Sequence, residues 1–418
     1  NTLEALSFPP MCPQMTIPLV HDTGEPTMGR EDCLYLNVSA PSSWAPGEPA
    51  LPVMLWLHGG GNTVGSTDLY PAVLNLAARG DVVTVSIHYR LGVLGWFNHP
   101  ALRATAADEF DASGTFGTLD TIAALRWVRE NIAAFGGDPQ NVTVFGESAG
   151  GMNVFALLLS PLAEGLFHRA ASQSGLLLTS EISLAENPVD ATPAGSVNSS
   201  GELLLRLLQA EGRAADREQA AAVLAQWSAA EVMDYLRGQP ADVLLGSMHT
   251  TEWGLYEIPV LLRDGVVLPS IDPLQALQKG EFNRVPVLMG TNRDEVKTMM
   301  TRSPDYIELR FGLLPRVADQ ALFDRVTGYG SAMWKVLGAD DPARAMALAG
   351  HEPIYIYRFD WDETPDALLV DFGSLLGAGH SLEIPFVFHD MDNEMEYLPF
   401  DLITDENRER ASALADEV

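Results

Sequence analysis

The residues with the clearest chemical potential are Gly146-Glu147-Ser148-Ala149-Gly150, a GxSxG pentapeptide placed straight after a β-branched run. Val142-Thr143-Val144-Phe145 reads as a short buried strand and Ala149 to Leu159 as a helix, so Ser148 is expected on a strand-to-helix elbow. Such a turn crowds the backbone, and Gly146, Ala149, Gly150 and Gly151 supply the small residues it needs. The serine hydroxyl then stands at the carboxyl edge of a sheet, above a helix N-terminus, where a nucleophile for acyl transfer belongs.

A serine nucleophile needs a base, an acid to orient the base, and donors for the oxyanion; at an elbow of this kind they should follow in the order serine, acid, histidine. Five histidines follow Ser148: His168, His249, His351, His380 and His389. His380 follows Gly377-Ala378-Gly379 in a loop beyond the last expected strand, with His389 as the alternative. For the acid, Val285 to Gly290 reads as a strand running into Thr291-Asn292-Arg293-Asp294-Glu295, which puts two carboxylates, Asp294 and Glu295, just past a strand end. The residues themselves leave these two open. The strand Leu55-Trp56-Leu57 opens into His58-Gly59-Gly60-Gly61, where backbone N–H groups can turn inward with no Cβ in the way. With the Ala149 N–H, the amides of Gly60 and Gly61 form a candidate oxyanion hole. A phosphate cradle is the rival for a glycine run, but no GxxxxGK[ST] follows and the spacing does not fit GxGxxG.

The elements that must position these groups are strands at Leu34–Ser39, Val53–His58, Val82–His88, Val142–Gly146, Arg169–Gln173, Val285–Gly290 and Ile354–Phe359, alternating with helices such as Leu119–Ala134. Alternation predicts an α/β fold with a mostly parallel central sheet flanked by helices. One interval breaks it. From about residue 176 to 283 the patterns, including Gly201–Leu208 and Ala229–Leu236, are helical, and we expect an insertion over the carboxyl edge that shapes a substrate cleft. The 418 residues, 47% hydrophobic, can form one elaborated domain. No apolar run is long enough to span a bilayer, and the net charge of −31, without a Lys/Arg cluster, argues against nucleic acid and anionic membranes as partners. The two cysteines, Cys12 and Cys33, lie in no metal-ligand spacing; a bridge between them closes a loop of about 20 residues and contributes roughly 3 kcal/mol in an oxidising compartment. The alternative is two free thiols. The chain opens Asn1-Thr2-Leu3 without Met or an apolar leader, as expected of a processed or incomplete sequence.

Taken together these segments resemble the type B carboxylesterases, α/β-hydrolases that include liver carboxylesterases, cholinesterases and bacterial esterases. Phe135 to Gly150 is similar to the family's nucleophile signature, Glu31 to Val38 to its second signature, His58 to Gly61 to its oxyanion strand, and Gly377 to Phe386 to its histidine loop. Phe167 to Gly175 is also similar to the segment after the elbow helix. The resemblance implies a Ser148–His380–Glu295 triad, with Glu295 preferred to Asp294, and an oxyanion hole from Gly60, Gly61 and Ala149. It also implies a Cys12–Cys33 disulfide, which favours a secreted or periplasmic location over the cytoplasm, and places Glu147, Glu383 and Ser174 beside the triad. Two-step hydrolysis of small-molecule carboxylic esters follows, with no metal and no organic cofactor.

Departures from the family pattern are Val296 for a glycine, Thr121 for a glutamine and Asn62 for an aromatic residue, and strand-rich and closing segments usual at the two ends are absent. The lack of Trp, Tyr or Phe between Cys12 and Cys33 disfavours a quaternary ammonium substrate. The rivals are a non-catalytic adhesion or binding homologue, which would typically lack the nucleophile, and a lipase or amidase on the same scaffold. The oligomeric state is not legible.

Overall fold

Seven strands form one sheet in the computed structural model, which describes residues 5, 7–16, 24–250, 256–366, 369–394 and 401–417. In chain order they are β1 (Leu36–Ser39), β2 (Leu51–Leu57), β3 (Val83–Ile87), β4 (Gly137–Glu147), β5 (Arg169–Gln173), β6 (Val287–Asn292) and β7 (Ile354–Phe359). Across the sheet the order is β7-β6-β5-β4-β2-β3-β1, and every neighbouring pair is parallel except β1 with β3. Strand β3, Val-Thr-Val-Ser-Ile, is buried at all five positions, as expected where helices cover both faces.

The strands fall where apolar β-branched runs predict them, with one instructive difference. Gly136-Gly137-Asp138-Pro139 reads locally as the turn that ends a helix, yet β4 already begins at Gly137. Leu51 of β2 pairs with Gly137, and the register shifts before Val53 pairs with Val142. A bulge of this kind tolerates proline, which cannot donate to a ladder. The preceding helix, α1 (Phe116–Asn131), starts and ends about three residues earlier than expected and closes in a 3-10 turn, Ile132–Phe135.

Helix α2 (Ala149–Leu159) follows β4 directly and is apolar on every side but for Asn153; apart from Met152 all its residues are buried, so it is a core element rather than a surface one. Between β5 and β6 the described residues add no strand to the sheet. They form helices that include α3 (Ser200–Ala210), α4 (Arg217–Leu224) and α5 (Ala229–Arg237). Leu203, Leu204, Leu207, Val232, Met233 and Leu236 pack there with Ala101 and Leu102 into a second hydrophobic core. After β6 come α6 (Glu295–Met300) and α7 (Gln320–Lys335), the latter running into a π-helical turn, Val336–Asp340. Cys12 and Cys33 are joined by a disulfide and both are buried. Among the described residues no helix is long and apolar enough to cross a membrane.

Candidate active site

Ser148 sits between β4 and α2 with φ 57° and ψ −120°, a conformation that L residues avoid and that persists only when surroundings force it. The forcing contacts are visible. A Cβ on Gly150 would stand 1.9 Å from the Leu57 carbonyl oxygen, and one on Gly146 would stand 2.7 Å from the same oxygen. Backbone of β2 and of the elbow therefore touch, and glycine is required at both positions. The Ser148 N–H donates to the Gln173 carbonyl (2.9 Å), and the Ser148 carbonyl accepts from Met152 (3.0 Å), closing the first turn of α2.

The end of β2 brings the glycine run to the same place. A Cβ on Gly59 would be 3.2 Å from the Ser148 Cβ and 2.9 Å from Glu147 Oε2. Gly60 and Gly61 follow with φ of 100° and 64°; a Cβ at Gly60 would be 2.2 Å from the Val64 carbonyl oxygen. Among the described residues the amides of Gly60 and Gly61 donate no hydrogen bond, and that of Ala149, the first residue of α2, has no intrahelical acceptor.

The acid and the imidazole meet from opposite sides of the chain. His380 Nδ1 donates to Glu295 Oε2 at 2.6 Å, and the other carboxylate oxygen, Oε1, accepts the Asn292 N–H at 2.7 Å. Both side chains are buried, at 4% and 0% exposure. Asp294, the alternative, is turned elsewhere: its Oδ2 accepts from the Ala378 N–H (3.0 Å) and from Arg293 Nε (2.9 Å), which ties the histidine loop to the end of β6. His389 is also elsewhere, with Nε2 3.0 Å from Asp416 Oδ1 near the surface. Nε2 of His380 has no hydrogen-bond partner among the described residues. It lies 3.1 Å from Glu147 Oε1, close but off the line of a hydrogen bond, while Ser381 Oγ donates to that same oxygen at 2.8 Å. The pair His380-Ser381 is thereby held against the pair Glu147-Ser148.

Three buried carboxyls surround one imidazole. Burial raises Glu147 above the usual carboxylate range, and burial together with the charges of Glu147 and Glu295 pushes Glu383 up to about 8. For His380 burial opposes the charged form, but Glu147, Glu295 and Glu383 outweigh it and raise the group to about 9. Asn292 Nδ2 bridges Glu383 Oε2 (2.6 Å) and the Gly379 carbonyl (2.7 Å), fixing the loop from below. Ser174, left-handed at φ 49°, follows β5 and is buried with its hydroxyl unpaired among the described residues.

Two of the positioning residues carried no sequence signal for such a role. Trp334 of α7 lies with its ring 5.0 Å from that of His380 and donates from Nε1 to the Ser174 carbonyl at 2.9 Å. It stands two residues before the π-helical turn, a local widening common at functional sites. Asn292 is the other; it ends β6, three residues before Glu295.

A model of the carboxylesterase family matches residues 1–311, which include Ser148 and Glu295 and stop short of His380. The para-nitrobenzyl esterase of Bacillus subtilis (strain 168) is 35% identical over 421 residues, covering 97% of this chain and 77% of that protein. A liver carboxylesterase of Sus scrofa is 37% identical over 303 residues, covering 69% of this chain and 48% of its own length, so the chain spans about half of that mammalian relative. Among solved structures, a PNB esterase superposes with a TM-score of 0.67 at 31% identity, covering 99% of this chain and 79% of that one. A Geobacillus stearothermophilus carboxylesterase at pH 6.8 gives 0.64 at 31% identity, with 96% and 76% covered. With family match, overall identity and fold in agreement, this chain belongs to the carboxylesterase family, the serine carboxylic ester hydrolases of the α/β-hydrolase fold.

Proposed function

We propose that Ser148, His380 and Glu295 form the catalytic triad and that the amides of Gly60, Gly61 and Ala149 form the oxyanion hole. The observation that carries this reading is the 2.6 Å bond from His380 Nδ1 to Glu295, which leaves Nε2 without a hydrogen-bond partner among the described residues, beside the Glu147-Ser148 elbow. Glu295 holds the imidazole in the tautomer whose Nε2 is free to accept a proton. Nε2 takes the Ser148 proton as Oγ attacks the ester carbonyl, and the three amides bind the resulting oxyanion. The imidazolium then gives its proton to the leaving alcohol, and water, activated by the same nitrogen, releases the acid from the acyl-serine. Every proton has a donor and an acceptor among these groups, and no metal or organic cofactor enters.

The substrates are small-molecule carboxylic esters, and the named relatives make a para-nitrobenzyl ester the first to try. The helices between β5 and β6 shape the cleft within one catalytic domain, so they select among esters. The test is to treat the protein with an organophosphate, locate the adduct by mass spectrometry, and assay short- and long-chain p-nitrophenyl esters. Labelling at Ser148, with turnover lost in Ser148→Ala, is expected. Turnover unchanged in Ser148→Ala would move the active site elsewhere.

A further inference from the structure

The left-handed backbone of the glycine run does not stop at the glycines. Gly60, Gly61 and Asn62 have successive φ angles of 100°, 64° and 60°. Glycine enters this region freely, and asparagine does so more readily than most residues that carry a Cβ. Asn62 is fully buried, and its carbonyl accepts the Gly92 N–H at 2.7 Å. Its side chain reaches across to the nucleophile helix, where Asn62 Oδ1 accepts from Asn153 Nδ2 at 2.9 Å. Asn153 is 1% exposed and lies one turn into α2 from Ala149. Among the described residues this is the only side-chain hydrogen bond between the loop 58–65 and α2. The remaining polar atoms of the pair, Asn62 Nδ2 and Asn153 Oδ1, are buried without partners among the described residues. Asn153 also meets the Tyr89 hydroxyl, which donates to the His58 carbonyl at 2.7 Å, so both of its side-chain contacts lead to the loop 58–65, and the two amide atoms left unmet make the pair an unfavourable choice for a core. A geometric role accounts for them.

We propose that the Asn62–Asn153 pair positions the oxyanion hole. It fixes the loop bearing the Gly60 and Gly61 amides against the helix bearing the Ala149 amide, so that all three donors converge on one oxygen. The inference rests on the assignment of those amides as the oxyanion donors. The two asparagines touch no reacting atom and act only through the backbone they hold. Their effect is therefore on the transition state, where charge has moved onto the carbonyl oxygen, and not on binding of the neutral ester.

Deleting one oxyanion donor commonly lowers the rate 10²- to 10³-fold; loosening donors without deleting any is expected to lower kcat about 10-fold, with KM within about twofold. Asn62→Gly keeps the left-handed backbone and removes the tether, Asn153→Ala removes the tether from the other side, and Asn153→Ser is a milder change should Ala impair folding. Rates on a p-nitrophenyl ester are normalised to active sites counted by organophosphate labelling of Ser148. The expected pattern is a fall in kcat for each single variant and no fall in the Asn62→Gly/Asn153→Ala double variant beyond that of Asn153→Ala, since both substitutions remove the Asn62–Asn153 bond. Wild-type kcat per labelled site in the single variants, or losses that multiply in the double, would overturn the inference. A wild-type protein that neither labels nor turns over removes the oxyanion assignment, and this inference with it; an active wild type with indifferent asparagine variants removes the inference alone.

Discussion

The two halves of the site are held by different physics. Around Ser148 the geometry comes from close approach: β2, the elbow and the start of α2 touch through Gly59, Gly146 and Gly150, with no room for a Cβ. No ionisable group is needed to set the left-handed serine. Around His380 the geometry comes from charge: Glu295, Glu147 and Glu383, all buried, converge on one imidazole. The first half should answer to side-chain volume and be indifferent to pH. The second should tolerate isosteric replacement structurally while losing function, and should respond to pH. Glu147 joins the two, because it precedes Ser148 in the chain and accepts from the neighbour of His380.

The largest effect is expected on the charged side. In Glu295→Gln the side-chain oxygen can still accept the Asn292 N–H, but the amide then presents N–H to His380 Nδ1. The imidazole answers by placing its own proton on Nε2, the wrong nitrogen for a base, and kcat should fall about 10⁴-fold. The melting temperature should change little by comparison. Steady-state kinetics beside thermal melts check this; a loss under 10-fold would mean that Glu295 does not set the tautomer.

The steric side should break differently. A Cβ at Gly150 meets the Leu57 carbonyl at 1.9 Å and the His58 carbonyl at 2.9 Å, both backbone atoms. Gly150→Ala must push β2 away from α2 and carry the proposed oxyanion glycines, Gly60 and Gly61, with it, so activity and stability fall together, kcat by at least about 100-fold and stability by about 1–3 kcal/mol. The loss should be the same at every pH. Recovery of activity on changing pH would show that the elbow is governed by charge after all.

A smaller effect separates the halves by titration. The folded pKa of His380, about 9, lies above its ordinary 6.5, so the folded state binds the proton more tightly than the unfolded one. Its stabilising contribution is therefore full below pH 6.5 and is lost as pH rises through 9. In the proposed triad activity runs the other way, because only the neutral imidazole can accept the Ser148 proton. Between these pH values kcat/KM should climb while the melting temperature falls. Glu147→Gln removes the carboxylate that raises His380 most and keeps an acceptor for Ser381, so the acid limb of kcat/KM should move to lower pH. An acid limb that stays in place would exclude Glu147 from the electrostatics of the base.

How much of this was legible in the sequence follows the same division. The elbow, the glycine run and the histidine loop are local patterns: a β-branched strand ends in residues too small to be there for packing, and the chemistry can be read off their order. The strands too are local, because Val83–Ile87 or Val142–Phe145 can be buried on both faces only as central strands. What is not local was not legible. The start of β4 at Gly137 depends on β2 pairing with it across a bulge, which overrides the turn signal of Gly-Asp-Pro. The choice between Asp294 and Glu295 could not be made from spacing, since both follow the same strand end; the structure gives one to the imidazole and the other to the Ala378 amide. The Asn62–Asn153 contact joins residues 91 apart, and no periodicity announces it.

Trp334 marks where the comparison is finest, because it touches the charged half by steric means. Its ring packs 5.0 Å from His380, and its Nε1 holds the Ser174 carbonyl, so it limits how the imidazole can swing without altering its charge. Trp334→Phe keeps an aromatic surface and removes the donor, leaving the Ser174 carbonyl to find another partner. The expected loss is about 1 kcal/mol of stability and a few-fold fall in kcat, with the acid limb of the pH profile unmoved. If the limb moves as well, the indole contributes to the proton affinity of His380, and the boundary between packing and charge runs through Trp334 rather than beside it.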